Sequence, residues 1–327
     1  MTQTDQSDFF GRVDLVSARL GGVVVEATDD FFAEKENLIN PADPVWREGE
    51  YTDRGQWMDG WESRRRRTPG HDWCVVRLGA VGQITDFVVD TAFFTGNYPE
   101  SCSIEGWFGV GDPEAAAAWS PLLAESALKG NSVHRFSVAD APQCSHLRLH
   151  IYPDGGVARL RAYGDVVPDW DRVLLDDGPV DLVEVRHGGT VVDCSDRFYS
   201  APENMLLPGA SLGMHDGWQT QRRRGPGHDW CVFALGRTGT VNGAELHTSH
   251  FKGNYPDRCS LELATLDAGA DPAQAAWHEV LSETKLEADY IHRFDLSAAA
   301  RLATHARLNI FPDGGVARLR LLGHVAP

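Results

Sequence analysis

The chain has 327 residues, 42% of them hydrophobic, and a net charge of −17. That length supports two ordinary domains, each able to bury its own core. The acidic balance argues against a nucleic-acid partner, because a phosphate backbone needs a basic surface, and no apolar run approaches the length of a membrane span.

The opening residues, MTQTDQSD, are polar and acidic and lack the apolar core of a secretory leader. Residues 1 to about 12 read as a fraying terminus. The cysteines, Cys74, Cys102, Cys144, Cys194, Cys231 and Cys259, form no CxxC pair, and several sit among apolar strand residues. They read as buried free thiols of a reduced, cytoplasmic protein.

From Asp14 the chain starts a pattern that returns at Asp181, DLVSARLGG against DLVEVRHGG. A β-rich run from Val23, matched from Val191, leads into an irregular segment carrying Phe31-Phe32 or Phe198-Tyr199, expected to plug the core. Glu36-Asn37 and Glu203-Asn204 match and are expected to cap or cross-link a loop. Only the first copy has an insertion, residues 41–57, which includes Trp46 and Trp57; lid, subunit contact and surface decoration all stay open for it.

The strongest repeat follows. DGWESRRRRTPGHDWCVVRLG from Asp59 and DGWQTQRRRGPGHDWCVFALG from Asp216 share 15 of 21 positions without a gap. Each copy carries an arginine run, Arg64 to Arg67 or Arg222 to Arg224, then a Pro-Gly-His-Asp turn into an apolar strand. Titratable side chains on a loop at a strand mouth are well placed for function.

Further strands are expected at 84–92 and 240–248, then turns built on FTGNYP and FKGNYP, then strands at 101–108 and 259–264. The Ala-rich stretches 112–119 and 271–277 suit one or two helical turns. Each copy closes on an expected hairpin, 147–151 with 157–163 and 307–310 with 316–321, around Pro-Asp-Gly-Gly turns. The organisation read from this is two homologous all-β domains, 12–165 and 180–324. The joining segment, 166–179, is apolar enough to pack along a domain surface. Short strands with regular turn signals suggest a sandwich or jelly roll.

The doubled DGW…RRR…PGHDW motif, the FTGNYP loop, the FFAEKENLI opening and the closing IYPDGGVARLRAYG together resemble the allantoicase family over nearly the whole chain. The resemblance implies two tandem jelly-roll domains related to galactose-binding and discoidin-type modules. It implies hydrolysis of allantoate to ureidoglycolate and urea in purine (allantoin) degradation, and a homo-oligomer. It also associates a divalent metal with some members, but no ligand set can be assigned. No cofactor signature is evident: the sequence has no HExxH, no CxxC and no dense carboxylate loop.

Allantoate carries a carboxylate, which calls for a bidentate Arg, and two ureido groups, which call for paired donors and acceptors. Releasing urea needs a proton on the leaving nitrogen. His71 and Asp72, with His228 and Asp229, are the candidate catalytic residues; the plainer reading is a capping Asp and a packed His. If the dipeptide is extended, its side chains point to opposite faces and cannot share one ion. Alternate members of the arginine runs, Arg65, Arg67 and Arg223, are candidate carboxylate binders. Asn97, Tyr98, Asn254 and Tyr255 are candidates for the ureido groups, against a plain turn role. Arg159 and Arg318 are candidates to line a cleft. Asp154 and Asp313 read as turn formers, His134 and His292 as satisfied strand histidines. Both copies keep most of these residues, so either copy, or both together, could form the site. The alternative function is a non-catalytic tandem discoidin-like module for a small molecule or carbohydrate. Loops rich in His, Asp and Arg favour the hydrolase.

Overall fold

The computed structural model describes residues 12–175, 178–267 and 269–326. The terminus expected to fray, and Asp176 and Asp177 of the joining segment, lie outside them. Two compact units divide the chain, one spanning Arg12–Val167 and the other taking up the chain from Pro168. The joining segment enters the second unit through a helical turn, Trp170–Val173, capped by the Asp169 carboxylate. The Trp170 ring lies 6.1 Å from that of His187, and Arg237 stacks over it.

In the first unit the strands are β1 (Val13–Asp14), β2 (Val23–Ala27), β3 (Tyr51–Thr52), β4 (Gly55–Gln56), β5 (Trp61–Glu62) and β6 (Asp72–Asp90). They continue with β7 (Ser101–Trp107), β8 (Ser120–Ala127), β9 (Val133–Ser137), β10 (Gln143–Tyr152), β11 (Gly156–Val157) and β12 (Arg159–Val166). Its longest strand, β6, has 19 residues and serves two layers. The start of β6 pairs with β2 and β10, placing Cys74 opposite Leu149. Its end pairs with β12 and β9, placing Val89 opposite Leu160 and His134. One layer is therefore β2-β6-β10-β7-β8 and the other β1-β12-β6-β9. Period-two alternation turns Leu147, Leu149, Ile151, Leu160, Phe87 and Val89 inward, and all are fully buried. Each such side chain contributes about 1.5–3 kcal/mol by leaving water.

The second unit repeats the plan. Its strands are β13 (Val180–Asp181), β14 (Thr190–Cys194), β15 (Trp218–Gln219), β16 (Asp229–His247), β17 (Arg258–Ala264), β18 (His278–Lys285), β19 (Ile291–Asp295), β20 (Arg301–Phe311), β21 (Gly315–Val316) and β22 (Arg318–Val325). Its layers are β14-β16-β20-β17-β18 and β13-β22-β16-β19, with β16 shared. The expected fold class, all-β with two tandem jelly-roll sandwiches, is what the chain adopts.

Four local expectations are corrected. The strands expected after Trp73 and at 84–92 are one continuous strand, β6. The closing hairpin is not formed: β10 and β12 both pair with β6 and lie on either side of it. The Pro-Asp-Gly-Gly turn instead hands the chain to β11, which pairs with β5, and then to the other layer. Phe31 and Phe32 do not plug the core but are 39% and 37% exposed, and Phe198 and Tyr199 are more exposed still. The inner slot is taken by Trp61 and Trp218, whose indole N–H groups donate to the carbonyls of Asp29 and Asp196, each at 2.8 Å. Of the Ala-rich stretches, only the second holds a helical turn, the 3-10 turn Pro272–Gln274.

Candidate active site

Two turns are docked on each other in both units. The Gly156 N–H donates to the Asn97 carbonyl at 2.7 Å, and Gly315 does the same to Asn254 at 2.8 Å. Gly155 has φ of +132°, and a Cβ there would stand 2.7 Å from the Asn97 carbonyl oxygen, so only glycine fits. The PDGG and GNYP motifs thus occur together because each shapes the other.

The arginine run is clamped to this turn. The Arg66 backbone N–H donates to Asp154 at 2.7 Å, and the Arg66 guanidinium donates to Asp72 at 2.7 Å. Asp72 is buried and also accepts from Thr28. In the second unit Arg223 is held by Asp313 and pairs with Asp229, which also accepts from Ser195. Arg64 pairs with Asp29. Arg65 and Arg67, between and beyond these anchors, are exposed, as are Arg222 and Arg224.

The loop delivers His71 to the outer face of the β6-β10-β7 sheet, while Asp72 turns inward. His71 Nε2 lies 2.9 Å from His150 Nδ1, and His150 Nε2 lies 3.0 Å from Glu105. Arg148 binds the same Glu105 oxygen at 2.6 Å and stacks over Trp119. His71 packs on Tyr152, ring centroids 4.5 Å apart, and the Tyr152 hydroxyl lies 2.8 Å from Ser103 Oγ. Burial disfavours charge on Glu105, but hydrogen bonds from Arg148 and His150 outweigh it and hold the carboxylate below its ordinary range. Burial pushes His150 down and the positive charge of Arg148 adds to that, against the pull of Glu105.

These contacts fix the tautomers. A carboxylate only accepts, so His150 Nε2 carries hydrogen and its Nδ1 accepts from His71 Nε2–H. His71 is left with its Nδ1 lone pair as a base.

The second unit has the same frame with different groups. His228 Nε2 reaches Asn309 Oδ1 at 3.3 Å, and Asn309 Nδ2 donates to Ser260 and Glu262. Arg307 binds Glu262 at 2.6 Å and stacks over Trp277. With Trp230, Glu279, Glu283 and Phe311, most of these groups line a cleft of about 540 Å³.

The remaining candidates are placed as follows. Asn97 donates to Glu62 at 2.7 Å, and burial raises that carboxyl's pKa. Tyr98 packs beside Phe94, Ala33, Met58 and Ala158. Asn254 contacts Met214, and Tyr255 is half-buried. Arg159 and Arg318 do not line a cleft. Both are buried, paired with Asp59 and Asp216 at 2.9 Å and bonded to nearby carbonyls. His134 and His292 each contact a backbone carbonyl through one ring nitrogen and accept a backbone N–H through the other.

A larger cleft, about 580 Å³, sits elsewhere in the second unit, lined by Glu184, Ser211, His247, His250, Asp289 and Arg320 among others. At the matching place in the first unit the insertion lies over the sheet. Trp46 packs on Phe93 and the Ala42 carbonyl accepts from Arg159. Among the described residues no three of His, Cys, Asp and Glu converge as metal ligands, so the side chains present do not fit a metal site and no step is routed through one.

The sequence reading missed Glu105, Arg148, His150, Tyr152 and Arg66. One signal was in plain view. LHIYPDGG and LNIFPDGG differ only where His150 and Tyr152 face Asn309 and Phe311.

Comparison with known proteins agrees with this duplicated architecture. The allantoicase repeat model matches residues 13–167 and 180–326. A probable allantoicase of Pseudomonas syringae pv. syringae is 47% identical over 320 residues, 96% of each chain. One from Photobacterium profundum is 45% identical over 321 residues, 95% of this chain and 96% of that one. The crystal structure of allantoicase from Saccharomyces cerevisiae superposes with a TM-score of 0.83 at 32% identity, covering 99% of both chains. Two matched repeats, full-length relatives and a shared fold lead to one conclusion: the chain belongs to the allantoicase family.

Proposed function

We propose that this chain hydrolyses allantoate to ureidoglycolate and urea, a step of purine breakdown, and that His71 is its acid–base group. Family membership supports the reaction over the binding-module alternative. The observation that carries the site is the Glu105–His150–His71 chain, a base backed by a second base and an anion on a half-buried sheet face. His71 Nδ1 takes a proton from the water that adds to the carbon. It gives that proton to the leaving ureido nitrogen as the carbon–nitrogen bond breaks and its electron pair moves to that nitrogen. Atoms balance as allantoate plus water to ureidoglycolate plus urea. Arg65 and Arg67, exposed on the loop that ends at His71, hold the substrate carboxylate. The enzyme works in the cytoplasm as a homo-oligomer.

The test is urea release from allantoate by the purified chain and by His71→Ala. Turnover falls by about a hundredfold or more when a general acid–base group is removed. Unchanged turnover in the variant refutes the site, and no urea from the parent chain refutes the reaction.

A further inference from the structure

Each chain carries its own control, because the two units present the same sheet face with a handful of changes, Arg258 for Ser101 among them. Asn309 stands for His150, Phe311 for Tyr152, and Glu279 for Pro121. The last exchange is exact in register: Pro121 pairs with Glu105 as Glu279 pairs with Glu262. We propose that allantoate turnover is confined to the first repeat, with His150 as the positioning residue that shares the proton taken up by His71. This rests on the reading of His71 given above.

In the first repeat, a proton arriving at His71 Nδ1 can be matched by transfer of the Nε2 proton to His150 Nδ1 across 2.9 Å. One N–H bond forms on His150 as one breaks on His71. The positive charge then sits on the ring whose Nε2–H faces the Glu105 carboxylate. Charge development at the substrate is answered by charge spread over two rings beside an anion.

The second repeat cannot do this. His228 Nε2–H points to the Asn309 amide oxygen, which holds the ring in place but is far too weak a base to take its proton. The Asn309 NH₂ is already bonded to Ser260 and Glu262, so the amide cannot turn over to offer anything else. Phe311 lacks the hydroxyl by which Tyr152 reaches Ser103. Glu279 adds a carboxylate to the lining where the first repeat has an uncharged proline. Glu262 is matched by Arg307, and Glu283 by Arg258, whereas Glu279 bonds only to the Ser282 hydroxyl among the described residues. In the first repeat Glu125 stands likewise, bonded to the Ser101 hydroxyl, so each face carries one unmatched carboxylate and the repeats part at His150 and Asn309.

The experiment uses the full chain and reads kcat, KM and the pH profile of urea release. His150→Asn copies an arrangement the fold already tolerates in the other repeat, so it separates holding the ring from sharing its proton. The expected result is a kcat lowered by about a hundredfold, KM within about threefold, and a displaced acidic limb of the pH profile. His150→Gln serves as a second variant should Asn disturb the sheet. The proposal is overturned if His150→Asn keeps the parent kcat and pH profile while His71→Ala is inactive. It is also overturned if His228→Ala costs as much turnover as His71→Ala. A fully active His71→Ala would instead sink the underlying site reading.

Discussion

His71 and Asp72 are adjacent in sequence and belong to different environments. The imidazole of His71 lies against His150 on the outer sheet face, while the Asp72 carboxylate is buried and bonded to Arg66 and Thr28. One residue presents chemistry and its neighbour fixes the loop that presents it.

Arg65 and Arg67 are exposed on either side of Arg66, which Asp72 holds. Replacing both with Ala raises KM by about tenfold, with kcat changed far less, because a charge-assisted contact to the carboxylate is lost. Steady-state kinetics with allantoate checks this, and a kcat loss at constant KM contradicts it.

The buried pair of Arg159 with Asp59 is a structural element. Arg159→Leu leaves the Asp59 carboxylate without its cation and costs about 3–5 kcal/mol of stability. Guanidinium unfolding measures it. A loss under about 1 kcal/mol would mean that the carboxylate finds other compensation.

Gly155 joins two turns at a backbone angle that side chains avoid. Gly155→Ala combines an unfavourable φ with contact at 2.7 Å on the Asn97 carbonyl, and about 2 kcal/mol or more of stability is lost. A thermal melt equal to that of the parent would show that the turns part without cost.

His292 is buried in its neutral form, and burial pushes its pKa below the ordinary 6.5. The unfolded chain therefore binds more protons than the folded one below pH 6.5, and this group's share of stability is lost as pH falls through that range. His292→Gln keeps a donor and an acceptor but removes the titration. Its stability falls less steeply between pH 6.5 and 5 than that of the parent, as followed by denaturant unfolding at several pH values. Identical slopes would show that His292 stays unlinked to folding.

Much of the fold was legible because its signals are local. Pro-Asp-Gly-Gly and Gly-Asn-Tyr-Pro announce reversals, alternation announces strands, and the repeat announces two domains. What a turn cannot announce is the partner of the strand that follows it. The hairpin expected between β10 and β12 failed for that reason, since β6 lies between them. The site was half legible by the same logic. His71 stands in a repeated motif, but Glu105, Arg148 and His150 meet only through the register of β7 on β10, which sets Glu105 opposite Arg148 and Ser103 opposite His150. Alternation along Arg64–Arg67 was readable, but its phase was not. It depends on Asp72, Asp29 and Asp154, which lie up to 88 residues away. Phe31 and Phe32 looked like core residues by composition alone. Trp61 occupies the interior, and Arg54 and Arg64 lie over the Phe31 ring.

Because β6 runs unbroken through both layers of its sandwich, as β16 does in the other unit, neither layer can be inherited without its mate. A partial copy would carry a spine with half its ladder bare and exposed to foreign strands. The smallest self-sufficient piece of this architecture is a complete sandwich, and each matched repeat spans one whole.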